Sequence, residues 1–297
     1  MVSEMDGVII VDKPQGWTSH DVVGKMRRLA KTKRVGHLGT LDPMATGVLP
    51  VVLNRATRLS QFYVRVGKVY ETTVILGQAT NSYDAEGDPI GEFVTTQFTP
   101  QEIEQQLAKF RGLIDQMPPP ISAKKINGVP AYKLARSNQP VELKSVPVTV
   151  DRLELVSLTG HTLQLIVECS GGTYVRSIAH DLGIALGCGA HLSQLRRTRS
   201  GDFDLSKALT IEQLTKMSEE EQLIDALIPN SALLPNFPHQ LVDASVEQQI
   251  RHGRDFHTSP FGVPQDAKFV KAVGLSGELI AIGEAKLPNL YHPIIVL

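Results

Sequence analysis

The stretch from Gly36 to Pro50 limits what this chain can fold into more than any other part of the sequence. It reads GHLGTLDPMATGVLP. It follows neither the 3.6-residue period of a helix nor the alternation of a strand, and three glycines and two prolines interrupt it. Pro43 fixes its own backbone and biases Asp42 toward an extended conformation. The stretch therefore predicts a shaped loop that aims one carboxylate.

The length of this pattern separates it from an isolated Asp-Pro pair, which is typical of an ordinary turn. The whole stretch resembles, almost residue for residue, the catalytic-aspartate motif of the TruB-type tRNA pseudouridine synthases. The segment DKPQGWTS, from Asp12 to Ser19, is similar to the first motif of that family. The resemblance implies an isomerase that converts the T-loop uridine of tRNA, at position 55, to pseudouridine. It also implies that Asp42 is the nucleophile.

Composition excludes several other classes of protein. The chain has 297 residues, 42% of them hydrophobic and 21% charged, which is ordinary for a folded protein with one large core or two domains. No apolar run is long enough to span a bilayer, and the acidic start MVSEMD is unlike a secretory signal, so we expect a cytoplasmic protein. Cys169 and Cys188 lack metal-ligand and CxxC spacing. We expect free thiols, no metal and no cofactor.

The charge distribution says more than the net charge of -1, which by itself gives no sign of nucleic-acid binding. Between Gly24 and Gly36 lie six Lys and Arg residues without an acidic neighbour, and a second cluster comprises Arg196, Arg197 and Arg199. Either cluster alone is typical of a solvated helix end. Beside a loop that modifies RNA, both clusters favour contacts with phosphates.

Tyr70 lies in a segment that alternates and is rich in β-branched residues, from Lys68 to Gly77, which predicts a strand. An aromatic residue in a strand is more often part of the core. The KVY context of Tyr70, however, matches the family's active-site tyrosine. The resemblance implies that Tyr70 stacks on the uracil that is flipped out of the RNA.

Arg176 lies in the sequence SGGTYVRSI, which predicts a turn from a strand into a helix. With Thr173 as the N-cap, Arg176 would be the third helical residue, where the helix dipole disfavours a cation by about 0.3 to 1 kcal/mol. A local rule broken at a helix start suggests a function. The resemblance implies that Arg176 pairs with Asp42 and that Tyr174 lines the same pocket. The alternatives are a surface arginine and a packed tyrosine.

The resemblance also implies roles for four more residues. Leu195 matches an apolar residue of the uracil pocket, and Lys125 matches a lysine of an insertion that grips the T-arm of tRNA. Asp84 matches a further motif and is expected to support the site. His37 could fill the space that the flipped base leaves. Its alternative is a loop histidine bonded to backbone groups.

The predicted fold class is α+β, with a large mixed β-sheet catalytic domain flanked by helices over residues 1–232. Residues 117–146, rich in proline and lysine, form the predicted RNA-gripping insertion. The breakers Pro229, Asn230, Pro235 and Pro238 mark the boundary to a small β-rich domain, residues 233–297. This tail resembles the RNA-binding PUA-type module. The expected partner is the T-arm of tRNA, with no membrane and no obligatory protein partner.

Secondary-structure signals are clearest near the ends of elements. The apolar run from Val8 to Val11 predicts a buried strand. Thr18 and Thr99 have the spacing of capping boxes that start helices, and helices are also predicted over 210–216 and 218–227. Ser276-Gly277 predicts the turn of a hairpin in the tail.

The path of the reaction stays open at this point. Changing an N-glycoside to a C-glycoside alters no oxidation state, so one carboxylate nucleophile can suffice. Asp42 could attack C1′ of the ribose or C6 of the ring, or a glycal could form.

Two other functions remain as alternatives: a tRNA-folding chaperone without required catalysis, and a glycoside hydrolase. The hydrolase needs a second carboxylate, for which Asp84 is the candidate.

Overall fold

The computed structural model of this chain describes residues 5–120 and 144–297, together with the backbone of two short strands at 125–126 and 129–130. Helices and a large mixed sheet share these ranges, which confirms the predicted α+β class. Most of the predicted insertion, 117–146, lies outside the described residues.

The described strands are numbered here in chain order. In the first half of the chain they are β1 Gly7–Lys13, β2 Val35–His37, β3 Thr46–Leu53, β4 Lys68–Leu76, β5 Ala79–Thr80, β6 Pro89–Ile90, β7 Gly112–Gln116, β8 Lys125–Ile126 and β9 Val129–Pro130. In the second half they are β10 Val146–Thr159, β11 Thr162–Cys169, β12 Ala190–Ser200, β13 Phe203–Asp204, β14 Ile228–Pro229, β15 His239–Val242, β16 Phe256–His257, β17 Phe269–Gly274, β18 Leu279–Leu287 and β19 Leu290–Val296.

The described α-helices are α1 Ser19–Leu29, α2 Pro100–Leu107, α3 Val175–Ala185, α4 Ile211–Glu219 and α5 Ala244–Arg251. Shorter 3-10 segments lie at Asn54–Tyr63, Ala108–Phe110, Leu205–Lys207, Leu223–Ala226 and Asn230–Ala232. Thr18 and Thr99 form the predicted capping boxes of α1 and α2, so both helix starts are confirmed. Each such cap satisfies backbone N–H groups that the first turn leaves free, which stabilises a helix by about 1 kcal/mol.

The larger sheet contains ten of the described strands in the order β14-β1-β3-β12-β4-β11-β10-β7, with β2 against β3 and β13 against β12. The sheet is mixed because β3 and β12 run parallel while the other neighbours along this order are antiparallel. β3, β12 and β4 lie side by side at its centre. The Asp42 loop immediately precedes β3, so these three strands position the site.

β1 explains why an apolar run, rather than an alternating one, predicts a strand correctly here. Ile9 and Val11 pack on one face of the sheet with residues of α1 and α4. Val8 and Ile10 pack on the other face with residues of the C-terminal sheet. Both faces of the strand are therefore buried. Each fully buried Val or Ile contributes about 1.5 to 3 kcal/mol.

A second sheet of five strands, in the order β15-β17-β18-β19-β16, forms the C-terminal part of the chain. Its β17–β18 hairpin turns at Gly277, which has φ +84, as predicted. Phe62, from the 3-10 segment before β4, makes edge contacts with Phe237 and Phe269 at ring-centroid distances of 5.3 Å each. The small β-rich tail is thus present and packs against the larger sheet through apolar side chains. The boundary at 232 and the PUA-like assignment stay predictions.

Two local predictions are wrong. The irregular part of the Gly36–Pro50 stretch is shorter than expected, because β2 extends to His37 and β3 begins at Thr46. The predicted helix over 218–227 is also absent: α4 ends at Glu219 and only a 3-10 turn follows. Glu221 has φ +58, a left-handed conformation that a right-handed helix cannot include.

Candidate active site

The Asp42 loop is held by hydrogen bonds from the start of α1. The Ser19 hydroxyl accepts a bond from the Leu41 N–H at 2.9 Å and donates one to the Leu41 carbonyl at 3.1 Å. The Ala45 N–H donates to the Asp42 carbonyl at 3.0 Å and closes a tight turn. The backbone on both sides of the carboxylate is therefore fixed.

Lys13 holds the other side of the loop from inside the protein. Its side chain is fully buried, and its amino group donates to the carbonyls of Pro14 at 2.9 Å, Trp17 at 2.6 Å and Pro43 at 3.2 Å. Burial lowers its pKa to about 8. Lys13 lies in the first motif, but its sequence context alone did not predict this role. The signal that could have indicated it is a lysine two residues after the apolar run from Val8 to Val11.

Arg197 supports the loop from the neighbouring strand β12. Its guanidinium is fully buried and donates to the carbonyls of Val48 at 2.7 Å, Gly39 at 3.0 Å and Thr40 at 3.4 Å. The Arg197 backbone is equally close: a Cβ added to Gly47 would lie 2.2 Å from the Arg197 carbonyl oxygen. Gly47 also has φ +100, so this position requires glycine.

The second basic cluster is therefore not the phosphate-binding surface that its sequence suggested. Arg197 is buried and cannot reach a phosphate in solvent. Arg196 pairs with Asp12 at 2.8 Å, and Arg199 pairs with Glu168. The prediction failed because the strand alternates these side chains between faces, and the charge pattern alone does not reveal their carboxylate partners.

Asp42 and Asp84 share one guanidinium. The Arg176 Nε lies 3.0 Å from an Asp42 carboxylate oxygen, and its Nη1 lies 2.9 Å from Asp84 and 3.0 Å from the Ser82 carbonyl. The side chains of Arg176 and Asp84 are almost completely buried, whereas 37% of the Asp42 side chain remains exposed. The expected pairing of Arg176 with Asp42 is present. Asp84 makes its ion pair with the shared arginine, and its negative charge also raises the pKa of Asp42.

Helix α3 starts one residue later than predicted. Its N-cap is Tyr174, not Thr173, and Arg176 is the second helical residue. No side chain caps this helix; instead the Gln116 amide accepts from the Tyr174 N–H at 2.8 Å and donates to the Tyr174 carbonyl at 2.9 Å. Gln116 comes from β7, a strand that was not predicted from the sequence. A partner so distant along the chain leaves no local signal.

A pocket of about 380 Å³ opens beside the carboxylate. Its wall includes Asp42, Tyr70, Tyr174, Arg176 and Leu195. Thus five of the seven predicted site residues meet in one cavity, contributed by the loop, β4, the start of α3 and β12. The cavity combines a carboxylate, an aromatic ring and an apolar side chain, which suits a flat heterocycle bound next to a nucleophile.

Burial and charge set the protonation of the pocket. Desolvation raises the pKa of Asp42, and the Arg176 guanidinium opposes this by favouring the ionised carboxylate. Burial likewise raises the pKa of Tyr70, opposed by the guanidinium of Arg197. The phenol therefore stays protonated at neutral pH. A carboxylate that is partly desolvated but kept ionised by nearby cations is a stronger nucleophile than one in water.

The other two predicted residues do not share this geometry. His37 lies at the end of β2, half buried, and is not part of the pocket wall. Burial and the nearby Arg197 lower its pKa, so its imidazole is neutral at pH 7. Lys125 begins the short strand β8, which pairs with β9, but its side chain lies outside the described residues. Both roles stay predictions.

Among the described residues, no three His, Cys, Asp or Glu side chains are grouped so that they could hold a metal ion. None of the described helices is long and apolar enough to cross a membrane. Asp84 gives the hydrolase hypothesis no support, because its carboxylate faces Arg176 and is not in the pocket wall.

Comparison with known family models identifies the family of the chain. A family model described as TruB family pseudouridylate synthase (N terminal domain) matches residues 27–175, which include the Asp42 loop, Tyr70 and Tyr174. The model of the tRNA pseudouridylate synthase B C-terminal domain matches residues 176–234. The chain belongs to the TruB family. The resemblance read from the Gly36–Pro50 stretch is confirmed.

Relatives within the TruB family match over nearly the whole chain. A protein named tRNA pseudouridine synthase B from Solibacter usitatus is 57% identical over 99% of this chain and 100% of its own length. A protein of the same name from Paenarthrobacter aurescens is 42% identical over 94% of this chain and 91% of its own length. The matches therefore extend through the C-terminal sheet.

Solved structures give the same answer for the fold. An H/ACA RNP bound to a substrate RNA containing 2′-deoxyuridine contains a chain with a TM-score of 0.73 and 26% identity, over 99% of this chain and 84% of that one. A Cbf5-Nop10-Gar1 complex gives a TM-score of 0.71 at 28% identity, over 96% and 80%. Both sheets of the TruB-family chain are included in these matches.

Proposed function

We propose that this chain is a tRNA pseudouridine synthase that isomerises the T-loop uridine at position 55, with Asp42 as the nucleophile. One observation carries the proposal: the only described carboxylate in the wall of the pocket is Asp42, held by the buried Arg176 in a chain of the TruB family. The names of its relatives support tRNA as the substrate.

The chemistry requires three changes to one nucleotide. The C1′–N1 bond breaks, the base turns within the pocket, and C5 bonds to C1′ while the C5 proton is lost and N1 gains a proton. Asp42 promotes the first change by attack at C1′ or at C6, or by assisting formation of a glycal. Every route needs Asp42 to be ionised, which is what the Arg176 guanidinium favours.

The uracil must leave its stack before it can reach Asp42. Extruding a base costs a few kcal/mol, and stacking on an aromatic ring offsets about 1 to 3 kcal/mol of this. Tyr70 and Leu195 line the pocket beside Asp42, where they can replace the stacking contacts that the extruded base loses. We propose that His37, whose imidazole is neutral and half buried beside the loop, fills the vacated space in the RNA.

Exposed cations near the loop supply the expected backbone contacts. The side chains of Arg28, Lys31, Lys33 and Arg34 are exposed at the end of α1 and in the turn before β2, and none forms an ion pair within the described part of the chain. We propose that they bind phosphates of the tRNA.

The remaining assignments concern the whole chain. We propose that residues 1–232 are the catalytic domain, that Lys125 and the insertion 117–146 grip the T-arm, and that residues 233–297 are a PUA-like RNA-binding domain. We further propose that the protein acts in the cytoplasm and needs no protein partner for catalysis.

A defined substrate tests this function. The purified chain is incubated with an unmodified tRNA transcript and with the same transcript carrying cytidine at position 55, and pseudouridine is mapped by position. We expect pseudouridine at position 55 of the first transcript and none in the second. Tight binding of the transcript without pseudouridine would contradict the proposal and favour the chaperone. Pseudouridine at another position would contradict the site of action.

A further inference from the structure

Lys68 is a second cation in the pocket for which the proposed mechanism has no use. It begins β4, its side chain is almost completely buried, and it lines the same cavity as Asp42 and Tyr70. Its amino group donates to the Val66 carbonyl at 2.7 Å. Among the described residues, no carboxylate forms an ion pair with it.

The position of Lys68 follows from the pleat of the strand. Lys68 and Tyr70 are two residues apart, so both side chains point to the same face of β4. The loop packs on the lysine stem, since a Cβ at Gly39 would lie 3.5 Å from the Lys68 Cε. The buried guanidinium of Arg197 is close enough to repel the ammonium electrostatically. Lys68 and Arg197 thus make this end of the pocket positive. The Asp42 carboxylate in the pocket wall is negative.

Two buried cations without a carboxylate are costly unless a ligand supplies negative charge. The burial of Lys68 together with the repulsion from Arg197 lowers its pKa to about 8, so that most of it is still an ammonium at neutral pH. An anion bound beside it would raise this pKa and recover the cost. The question is which group of the substrate carries that charge.

The reaction itself produces an anion on the base. When the C1′–N1 bond breaks, its electron pair stays with uracil and spreads from N1 over the two carbonyl oxygens. If Asp42 attacks C6 instead, the ring becomes an enolate with the charge on O4. The charge returns to Asp42 when C5 bonds to C1′ and the Asp42 carboxylate is released from C1′ or C6; C5 then loses its proton and N1 gains one. Every route therefore passes through a negatively charged ring held against Tyr70.

We propose that the Lys68 ammonium donates a hydrogen bond to a carbonyl oxygen of the uracil ring and stabilises the negative charge that develops there. Lys68 is then a catalytic residue of the reaction and not a support of the fold. Preorganised donors at a developing oxyanion each accelerate a reaction by about 100-fold to 1,000-fold. The inference rests on the proposed function, because it needs a uracil in this pocket.

The first test compares rates with binding. Lys68→Met removes the charge and keeps most of the apolar stem, and replacing a buried charge by an apolar group of similar size is tolerated in protein interiors. We expect the single-turnover rate on unmodified tRNA to fall about 100-fold, with the Kd for tRNA changed less than about threefold. Lys68→Arg keeps the charge and should recover part of the rate. Lys109→Met, an exposed lysine bonded to Gln106, is the matched control and should leave both values unchanged.

The second test asks whether Lys68→Met is slow because it no longer stabilises negative charge on the uracil ring. The target uridine is replaced by 5-fluorouridine, whose ring anion is more stable because fluorine withdraws electrons, and consumption of that nucleotide is followed. The loss caused by Lys68→Met should shrink from about 100-fold to about 10-fold or less. An equal loss on both substrates would mean that Lys68 only positions the site, and would overturn the proposal.

The remaining outcomes separate this inference from the function. If Lys68→Met weakens tRNA binding and leaves the rate of bound tRNA unchanged, the lysine contacts the RNA in the ground state and the proposal is overturned. If the variant is as active as the wild type, the proposal also fails while the function stands. If the wild type makes no pseudouridine, the function fails first. Should Lys68→Met not fold, Lys68→Arg and Lys68→Gln give the same comparison between the two substrates.

Discussion

The Nε of Arg176 lies 3.0 Å from a carboxylate oxygen of Asp42. The same guanidinium binds Asp84 at 2.9 Å on its other side. Asp42 and Arg176 both line the pocket, whereas Asp84 does not. Arg176 therefore fixes both the direction and the ionisation of the carboxylate, and Asp84 fixes Arg176.

Removing Arg176 should slow the reaction and shift its pH dependence. In Arg176→Met, Asp42 loses the cation that lowers its pKa, so the acid limb of the rate profile should move to higher pH. We expect a loss of about 100-fold in the single-turnover rate, since a misplaced nucleophile loses rate on that scale. Arg199→Met, at a half-exposed arginine paired with Glu168, is the control and should keep the wild-type rate. A wild-type rate in Arg176→Met would contradict the role given to the pair.

Removing the charge of Asp84 should move the acid limb in the opposite direction. Asp84 raises the pKa of Asp42, so Asp84→Asn should lower that pKa and shift the limb to lower pH. The rate at the plateau should nevertheless fall about tenfold, because Arg176 loses its anchor. Asp88→Asn, an exposed aspartate in the same turn bonded to Asn81, is the matched control. An upward shift in Asp84→Asn would show that the two carboxylates are not coupled through charge.

The close contact between β3 and β12 makes Gly47 a sensitive position. Gly47→Ala places a Cβ 2.2 Å from the Arg197 carbonyl oxygen at φ +100, so the free energy of unfolding should fall by about 2 kcal/mol or more. Gly24→Ala, in the middle of α1 with nothing within 4 Å of the added Cβ, should instead raise it by up to about 1 kcal/mol. Urea unfolding of the two variants measures both values, and equal effects would contradict the packing described for the loop.

Asp42→Asn should stabilise the protein while it removes activity. The pKa of Asp42 is raised in the folded state, so the folded protein binds a proton more tightly than the unfolded chain does. At pH values above both pKa values the carboxylate is ionised in both states, and its ionisation then lowers the stability of the folded state. At pH 7 the variant should therefore be slightly more stable than the wild type, and the gain should be small because solvent screens a carboxylate that is 37% exposed. The gain should vanish as the pH falls through these two pKa values. A variant less stable than the wild type at pH 7 would mean that the ion pair with Arg176 outweighs desolvation.

The site residues that belong to contiguous motifs could be predicted from the sequence. The Asp42 loop, the capping box at Thr18 and the strand that carries Tyr70 all follow from local patterns, and the resemblance linked them to Arg176. The fold class followed in the same way, because apolar runs such as Val8–Val11 and the breakers after Pro229 are local signals.

What the sequence could not predict depends on contacts between distant segments. Arg197 looked like one of three surface cations, yet it is buried because the carbonyls of Gly39 and Val48 satisfy its guanidinium. Gln116 determines where α3 starts, but the two are far apart in the chain and no pattern joins them. Lys68 reads as the polar first residue of a strand. Only the folded chain shows that it lies in the pocket.

The role of Asp42 as the nucleophile is tested by release of tritium from tRNA that carries 5-tritiated uridine, because pseudouridine formation replaces the C5 hydrogen of the target base. Wild type and Asp42→Asn are compared under single-turnover conditions at equal tRNA occupancy, with pseudouridine at position 55 mapped in parallel. We expect release by the wild type and none above background by Asp42→Asn, with the Kd for tRNA of the two proteins equal within about threefold. Tritium release by Asp42→Asn at the wild-type rate would contradict that role of Asp42.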